Sequence, residues 1–309
     1  MGELYAVLSA LMFAVNNVII KKGIIRNNNT DNGFFITIFI NVIFLGLLCL
    51  ITIAVKGWNI PFSWTSVLFF SLAGLCTTGI GRLTLFSSIS YIGPSRASAI
   101  RNTTPIFTTL FAILFLNETI SLLPGVGMML LMAGIMNEGF GLRKIGTSHK
   151  QLIKSQESLH YKNKQTFGYG LAILSAFTFG VGQGLRKQGL LTMDHAFFGA
   201  WVGAMTSLLF VLIYQLIRGN LTSNIKGSFI KLNPYYLLAG LFTSLGPLFF
   251  FLATQSIQVS YVSVITSTEP IITVIISGIF LKRTDSITIR SLITIFMISI
   301  GAILMVVAV

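Results

Sequence analysis

The chain has 309 residues, of which 54% are hydrophobic and only 9% charged, with a mean hydropathy of +0.84. A soluble domain carries about 25% charged residues, so this composition excludes an ordinary water-soluble fold. The net charge of +13 does not mark a nucleic-acid binder, because the basic residues stand between apolar runs and no soluble domain holds them; they read as orientation signals.

A membrane-spanning helix takes roughly 20 apolar residues. Ten such segments follow one another, at about 4–22, 34–55, 66–89, 95–116, 122–139, 167–187, 196–217, 235–256, 260–281 and 287–309. The runs are too long, and too little alternating, for transmembrane strands. The start, Met1-Gly2-Glu3, lacks the basic leader of a signal peptide and reads as mature structure. Trp58 and Trp64 flank the turn between the second and third segments, as interface aromatics do. The stretch 140–166 is polar and basic and divides the chain into two sets of five helices, 1–139 and 167–309.

The two sets match. Ala6 to Ala10 aligns with Ala172 to Ala176, and in the same register Phe13 meets Phe179, Asn17 meets Gln183 and Lys21 meets Lys187. Further on, Gly81-Arg82-Leu83 meets Gly246-Pro247-Leu248, and Pro105 meets Pro270. With five helices in each copy, the second copy enters the membrane from the opposite side. The expected fold is therefore an all-α integral membrane protein of ten transmembrane helices, arranged as two inverted five-helix repeats. Most of the 21 Lys and Arg fall on the side holding the basic linker; Lys56, Arg186 and Lys187 are assigned to the side of the termini. The positive-inside rule puts the linker in the cytoplasm of a plasma-membrane protein.

The polar residues inside these segments are few and ordered. Ser98, Arg101, Thr104, Pro105 and Thr108 form one stripe; Ser263, Thr266, Glu269, Pro270 and Thr273 form its copy. Steps of three and four place each stripe on one helix face. A proline inside a helix frees the carbonyl four residues earlier, here that of Arg101 or Thr266, so kinks are expected at Pro105 and Pro270. In a membrane, freed backbone must be re-satisfied or face water. Glu269 is the one acid near the middle of an apolar segment, where a charge costs about 2.5–3.5 kcal/mol on insertion scales. It reads as a coupling or substrate-binding carboxylate, or as half of a structural ion pair with Arg101 or Arg82. Arg82 and Arg101 hold anions through planar donor forks, or snorkel to the basic interface. Asn17 and Gln183, like Asn16 and Asn41, bind polar substrate groups or bond helix to helix. Gly180-x-x-x-Gly184 and Gly199-x-x-x-Gly203 suit close helix contact.

Cys49 and Cys76 lie within apolar runs, and His149, His160 and His195 form no cluster. No disulfide, metal site, cofactor or phosphate-cradling loop is expected, and no hydrolase constellation lies at membrane depth.

The run from Tyr91-Ile92-Gly93-Pro94-Ser95-Arg96-Ala97-Ser98-Ala99 through Pro105 to Phe115-Leu116-Asn117-Glu118 resembles the fourth helix of the ten-helix EamA-type members of the drug/metabolite transporter superfamily. The second copy, from Ser256 through Pro270 to Leu281-Lys282-Arg283, keeps the proline but has Arg283 where the family pattern often has glutamate. The resemblance implies a permease and no enzyme: a secondary carrier, often an exporter, with a central cavity bordered by both repeats. The expected function is proton-coupled transport of small polar metabolites, such as amino acids or related organic solutes. Partners are then the substrate, the lipid bilayer and protons, and not nucleic acid. Two other readings stay open: a flippase of an amphipathic or lipid-linked substrate, and a non-transporting membrane scaffold or receptor.

Overall fold

A computed structural model describes residues 1–26, 34–56, 62–92, 97, 100–123, 125–130, 132–134, 158–217, 219, 233–269, 271–273, 275–276, 293, 296–297, 300–301 and 304. Pro270, the loops that carry much of the basic charge, the linker over 140–157 and most of the tenth predicted segment lie outside these residues. The apolar runs fold as helices: α1 (Gly2–Arg26), α2 (Phe34–Lys56), α3 (Trp64–Gly74), α4 (Arg82–Ile92), α5 (Thr104–Phe115), α6 (Ser158–Thr192), α7 (Ala196–Ile217), α8 (Pro234–Ser256) and α9 (Val259–Thr266). A π-helical stretch, Leu75–Gly81, joins α3 to α4. Among the described residues, five spans are long and apolar enough to cross a membrane: Gly2–Ile20, Phe35–Val55, Trp64–Ile89, Ala196–Ile217 and Pro234–Ser256. The chain is thus an all-α, multi-pass membrane protein.

Helix α6 begins at Ser158, well before the expected start at 167. No glycine or proline interrupts residues 158–167, and Lys and Gln there are good helix formers. The helix also runs past Arg186 to Thr192, because the apolar run resumes at Gly189-Leu190-Leu191.

The helices sort into two compact units that cut across the sequence halves: Met1–Gly79 with Gly182–Thr284, and Ile80–Val181 with Asp285–Val309. In the first unit, α1 packs along α8, α8 and α7 pack on α2, and α3 packs on α7. With lipid on the outside there is no hydrophobic drive between helices, so close approach of small residues supplies the contact. A methyl group at Gly74 would strike the backbone of Gly203, and one at Gly246 would strike the ring of Phe13. Around these contacts Phe70, Leu45, Met193, Leu248 and Phe251 form the core. The opposite face of α2 leaves Leu47, Leu50 and Ile51 more than half exposed, as a lipid-facing surface requires.

The second unit has its own small core of Leu85, Ile92, Ala97 and Ala172. Phe107 packs edge-on against Phe177 at 5.7 Å and Tyr91 against Phe167 at 5.5 Å. The π-helical stretch leaves carbonyls out of the regular ladder, and side chains take them up. Thr84 Oγ1 donates to Ile80 O at 2.8 Å and Gly81 O at 3.0 Å, and Ser175 Oγ donates to Gly81 O at 2.8 Å.

Contacts recur at the spacing of the sequence match. Ser9 Oγ donates to Gly246 O at 2.8 Å in the first unit; Ser175, its repeat partner, makes the same bond at the same length to Gly81 O in the second. Gly2 abuts Ile257, and Gly168 abuts Ile92. Gly23 abuts the ring of Tyr236, and Gly189 abuts Phe70. In each pair, the first helix of one copy meets the third helix, or its end, of the other.

Candidate functional site

The two stripes do not lie on bent helices. Each lies on a helix that stops and restarts. In the first, residues 100–101 are helical, Asn102 and Thr103 form a turn, and α5 begins at Thr104 with Pro105 in its first turn. The expected mid-helix kink at Pro105 is therefore a break. Proline is well tolerated in a first turn because its missing N–H would have no partner there. Thr103 N and Thr103 Oγ1 both bond to Ile100 O, at 3.0 and 2.7 Å, and Ile106 N bonds to Thr103 O at 3.0 Å. Thr104 Oγ1 donates to Arg101 O at 2.6 Å. The carbonyl that the proline leaves without its helical donor is thus satisfied by the next residue of the stripe.

The second stripe repeats the turn. Helix α9 ends at Thr266, Ser267 and Thr268 form the turn, and helix resumes at Glu269. Thr268 N and Oγ1 bond to Ile265 O at 3.2 and 2.8 Å, and Ile271 N bonds to Thr268 O at 3.0 Å. Thr273 Oγ1 donates to Glu269 O at 2.8 Å, where Thr108 Oγ1 donates to Thr104 O at 3.2 Å. The pair Asn102-Thr103 or Ser267-Thr268 just ahead of an X-Pro dipeptide was the available signal for these breaks, since small polar residues before a first-turn proline open helices.

The first unit holds four of the predicted residues, Asn17, Gln183, Thr266 and Glu269. Glu269 is 8% exposed, and Asn17 Nδ2 donates to its Oε1 at 2.5 Å. Gln183 Oε1 accepts from Ser263 Oγ at 2.6 Å. Thr266 Oγ1 turns back on its own helix, to Val262 O at 2.9 Å and Ser263 O at 3.0 Å. Asn17 itself is exposed in the middle of α1. A neighbouring amide, Asn16, is buried and accepts from Thr243 Oγ1 at 3.0 Å. The second stripe thus has two cross-helix bonds, each using one of the repeat-matched amides.

Arg82, Arg101 and Thr104 belong to the second unit. Arg82 opens α4 directly after the π-helical stretch and is half-buried. Arg101 is half-buried with its guanidinium over the Phe179 ring, 4.8 Å from the centroid, a cation–π contact.

One charged residue was missed. Arg186 was assigned to the side of the termini, yet it is 7% exposed. Its guanidinium lies 5.3 and 5.2 Å from the rings of Phe250 and Phe251, and it donates to Thr77 Oγ1 at 3.1 Å. The signal was the apolar run that resumes three residues later. Its neighbour Lys187 donates to Thr254 O and to Ile257 O, capping the last turn of α8 as a basic side chain does.

The chain matches the EamA-like transporter family over residues 1–137 and again over 166–307. It belongs to that family, and it is a multi-pass membrane transporter of the drug/metabolite type. A solved structure described only as "Crystal structure of protein" superposes with a TM-score of 0.69 at 14% identity, covering 99% of this chain and 96% of that one; at that identity the likeness speaks for the fold alone. No curated protein matches the chain.

Proposed function

We propose that this transporter is a proton-coupled secondary carrier of small polar metabolites, working outward across the plasma membrane by rocking two inverted five-helix repeats (1–139 and 167–309) around a midplane site. The observation that carries the reading is Glu269: a buried carboxyl at a helix break, hydrogen-bonded from an exposed amide in the middle of another span. Transporters built from inverted repeats place coupling and substrate sites at interrupted helices near the bilayer centre. An intramembrane acid is a functional candidate by default. The paired contacts of Ser9 and Ser175 support the inverted duplication.

In this reading Glu269 takes up and releases the coupling proton. Asn17 and Gln183 exchange their present hydrogen bonds for polar groups of the substrate, with Thr104 and Thr266 as further donors. Arg82 and Arg101 give the path its positive charge. The basic linker faces the cytoplasm, and the burial of Arg186 strengthens that assignment by removing one of the few charges counted on the other side. Uptake into proteoliposomes across metabolite classes, with and without a pH gradient, tests the proposal. Wild type is expected to respond to the gradient and Glu269→Gln to insert normally without responding. A Glu269→Gln protein with the full pH response sinks the coupling role.

A further inference from the structure

Helix α1 packs along α8 antiparallel and in one register. Gly2 abuts Ile257, Phe13 packs on Gly246, Asn16 meets Thr243 and Gly23 abuts Tyr236; each step forward on α1 is matched by an equal step back on α8. Within this seam Thr243 Oγ1 donates to Asn16 Oδ1 at 3.0 Å, and both residues are buried. The bonds to either side, from Ser9 to Gly246 O and from Asn233 to Gly23 O, end on backbone carbonyls; this one joins two side chains. It is also not the bond that a helical threonine makes by default. Thr52, Thr77, Thr206 and Thr266 each return the hydroxyl to a carbonyl four residues back on their own helix, and Ser244, the next residue, does the same. Thr243 spends its proton across the seam.

Packing alone does not call for this amide. The matching position in the other copy is Gly182, which has no side chain and lies tight against Thr77. Nor does packing in lipid fix how far a helix is turned about its axis, because lipid accepts any apolar face. A buried amide does fix it, since it loses its partner when turned away, and setting register is the best-attested use of buried polar groups. Asn17 follows Asn16 about 100° further round α1. Helix α1 also packs on α9, and just past the end of α9 Asn17 Nδ2 donates to Glu269 Oε1. The turn of α1 that is locked onto α8 is thus the turn that carries the donor to the buried acid.

We infer that Asn16 and Thr243 are positioning residues: their hydrogen bond fixes the rotation of α1 so that Asn17 is held on Glu269. The inference rests on the coupling role proposed for Glu269 and adds two residues that act on it through Asn17. Its test reads the bond between Asn17 and Glu269 directly. It can therefore fail while the response to a pH gradient stands, and that response can fail while the bond behaves as stated.

The test is NMR of the full chain in nanodiscs with isotope-labelled asparagine, following the side-chain amide of Asn17. Its signal is expected to move on Glu269→Gln, which marks the bond to the acid. Asn16→Ala and Thr243→Val are expected to move it in the same direction. Thr243→Ser, which keeps the hydroxyl, should leave it in place, as should Ser9→Ala, which loosens the seam about two turns away. In chemical unfolding, Thr243→Val and Asn17→Leu should depart from additivity by at least about threefold in the unfolding constant, more than independent sites show. The inference is overturned if the Asn17 signal of folded Asn16→Ala and Thr243→Val stays at its wild-type position, or if it ignores Glu269→Gln. It is equally overturned if Ser9→Ala moves the signal as far, or if the two unfolding changes simply add. Should Thr243→Val fail to fold, Asn16→Ala, in which Thr243 can bond back to its own helix, takes its place in both measurements.

Discussion

The helix breaks at Asn102-Thr103 and Ser267-Thr268 share one backbone solution and differ at one residue. In both, a threonine in the turn bonds to the isoleucine carbonyl three residues back, and an isoleucine N–H resumes the ladder from that threonine. In both, a threonine four residues past the X of X-Pro closes the next carbonyl. The position before the proline is where they part. Thr104 spends its hydroxyl on Arg101 O within its own break. Glu269, at the matching place, reaches out to Asn17 on α1. The same backbone position thus carries a hydroxyl that bonds within its own break in one copy and a carboxyl bonded from another helix in the other. One break is closed upon itself. The other places an ionisable group where a second helix meets it. The two copies share the interrupted helix and differ in whether a hydroxyl or a carboxyl stands before the proline.

Exchanging the two solutions is the strongest way to break this comparison. Thr104→Glu puts a carboxyl into the self-closed break, where the repeat match of Asn17 is Gln183, an amide that accepts from Ser263, and removes the hydroxyl from Arg101 O. The expected cost is about 2.5–3.5 kcal/mol, from the price of an acid at membrane depth, seen as an earlier midpoint in detergent-induced unfolding. The reverse exchange, Glu269→Thr, supplies a hydroxyl for Thr266 O and should hold or raise stability while the response to a pH gradient falls by at least about tenfold, or roughly 1.4 kcal/mol of coupling. If Glu269→Thr is instead the less stable of the two, the acid is a structural element and the comparison fails.

Much of this architecture was legible in the sequence, and the failures share one cause. Spans such as 196–217 and 235–256 were read almost to the residue, because a continuous apolar run has only helix available in lipid. The stripes and their match were visible for the same reason, since polar residues in such runs stand out. What the pattern did not reveal was a change of helix type within a run. Residues 75–81 are as apolar as their neighbours, and hydropathy does not distinguish an α-turn from a π-turn. The proline at 105 signalled an irregularity but not whether it bent or ended the helix, which Asn102 and Thr103 decide through their turn. Arg186 was misplaced because a charge near the end of a run looks like its boundary; the apolar residues that resume at Gly189 were the sign that the helix continues, and the rings of Phe250 and Phe251 lie against the guanidinium.

A sharper and smaller test concerns the partner of the acid. Asn17→Leu removes the donor to Glu269 Oε1 and leaves the acid buried without that bond. A lost hydrogen bond of this kind costs about 1–3 kcal/mol, so unfolding should shift by that amount. Gln183→Leu, which removes the bond from Ser263 between uncharged groups, should cost about 0.5–1.5 kcal/mol. Equal shifts in the two variants would mean that Glu269 is no more demanding than a neutral group, against the role given to it.

The smallest effects test whether the likeness between the copies is energetic as well as geometric. Ser9 and Ser175 make the same bond at the same length, one in each unit, to the glycine carbonyls of Gly246 and Gly81. Hydrogen bonds between membrane helices average about 0.6 kcal/mol in double-mutant cycles, so Ser9→Ala and Ser175→Ala should each shift unfolding by about that much. The environments are not identical. Gly246 precedes Pro247, which cannot share the local ladder, whereas Gly81 closes the π-helical stretch and also accepts from Thr84. Because Thr84 remains to serve Gly81 O, Ser175→Ala should be the milder of the two. The opposite order would show that the bond at the π-helical stretch, and not the one beside the proline within α8, is the more fragile of the two.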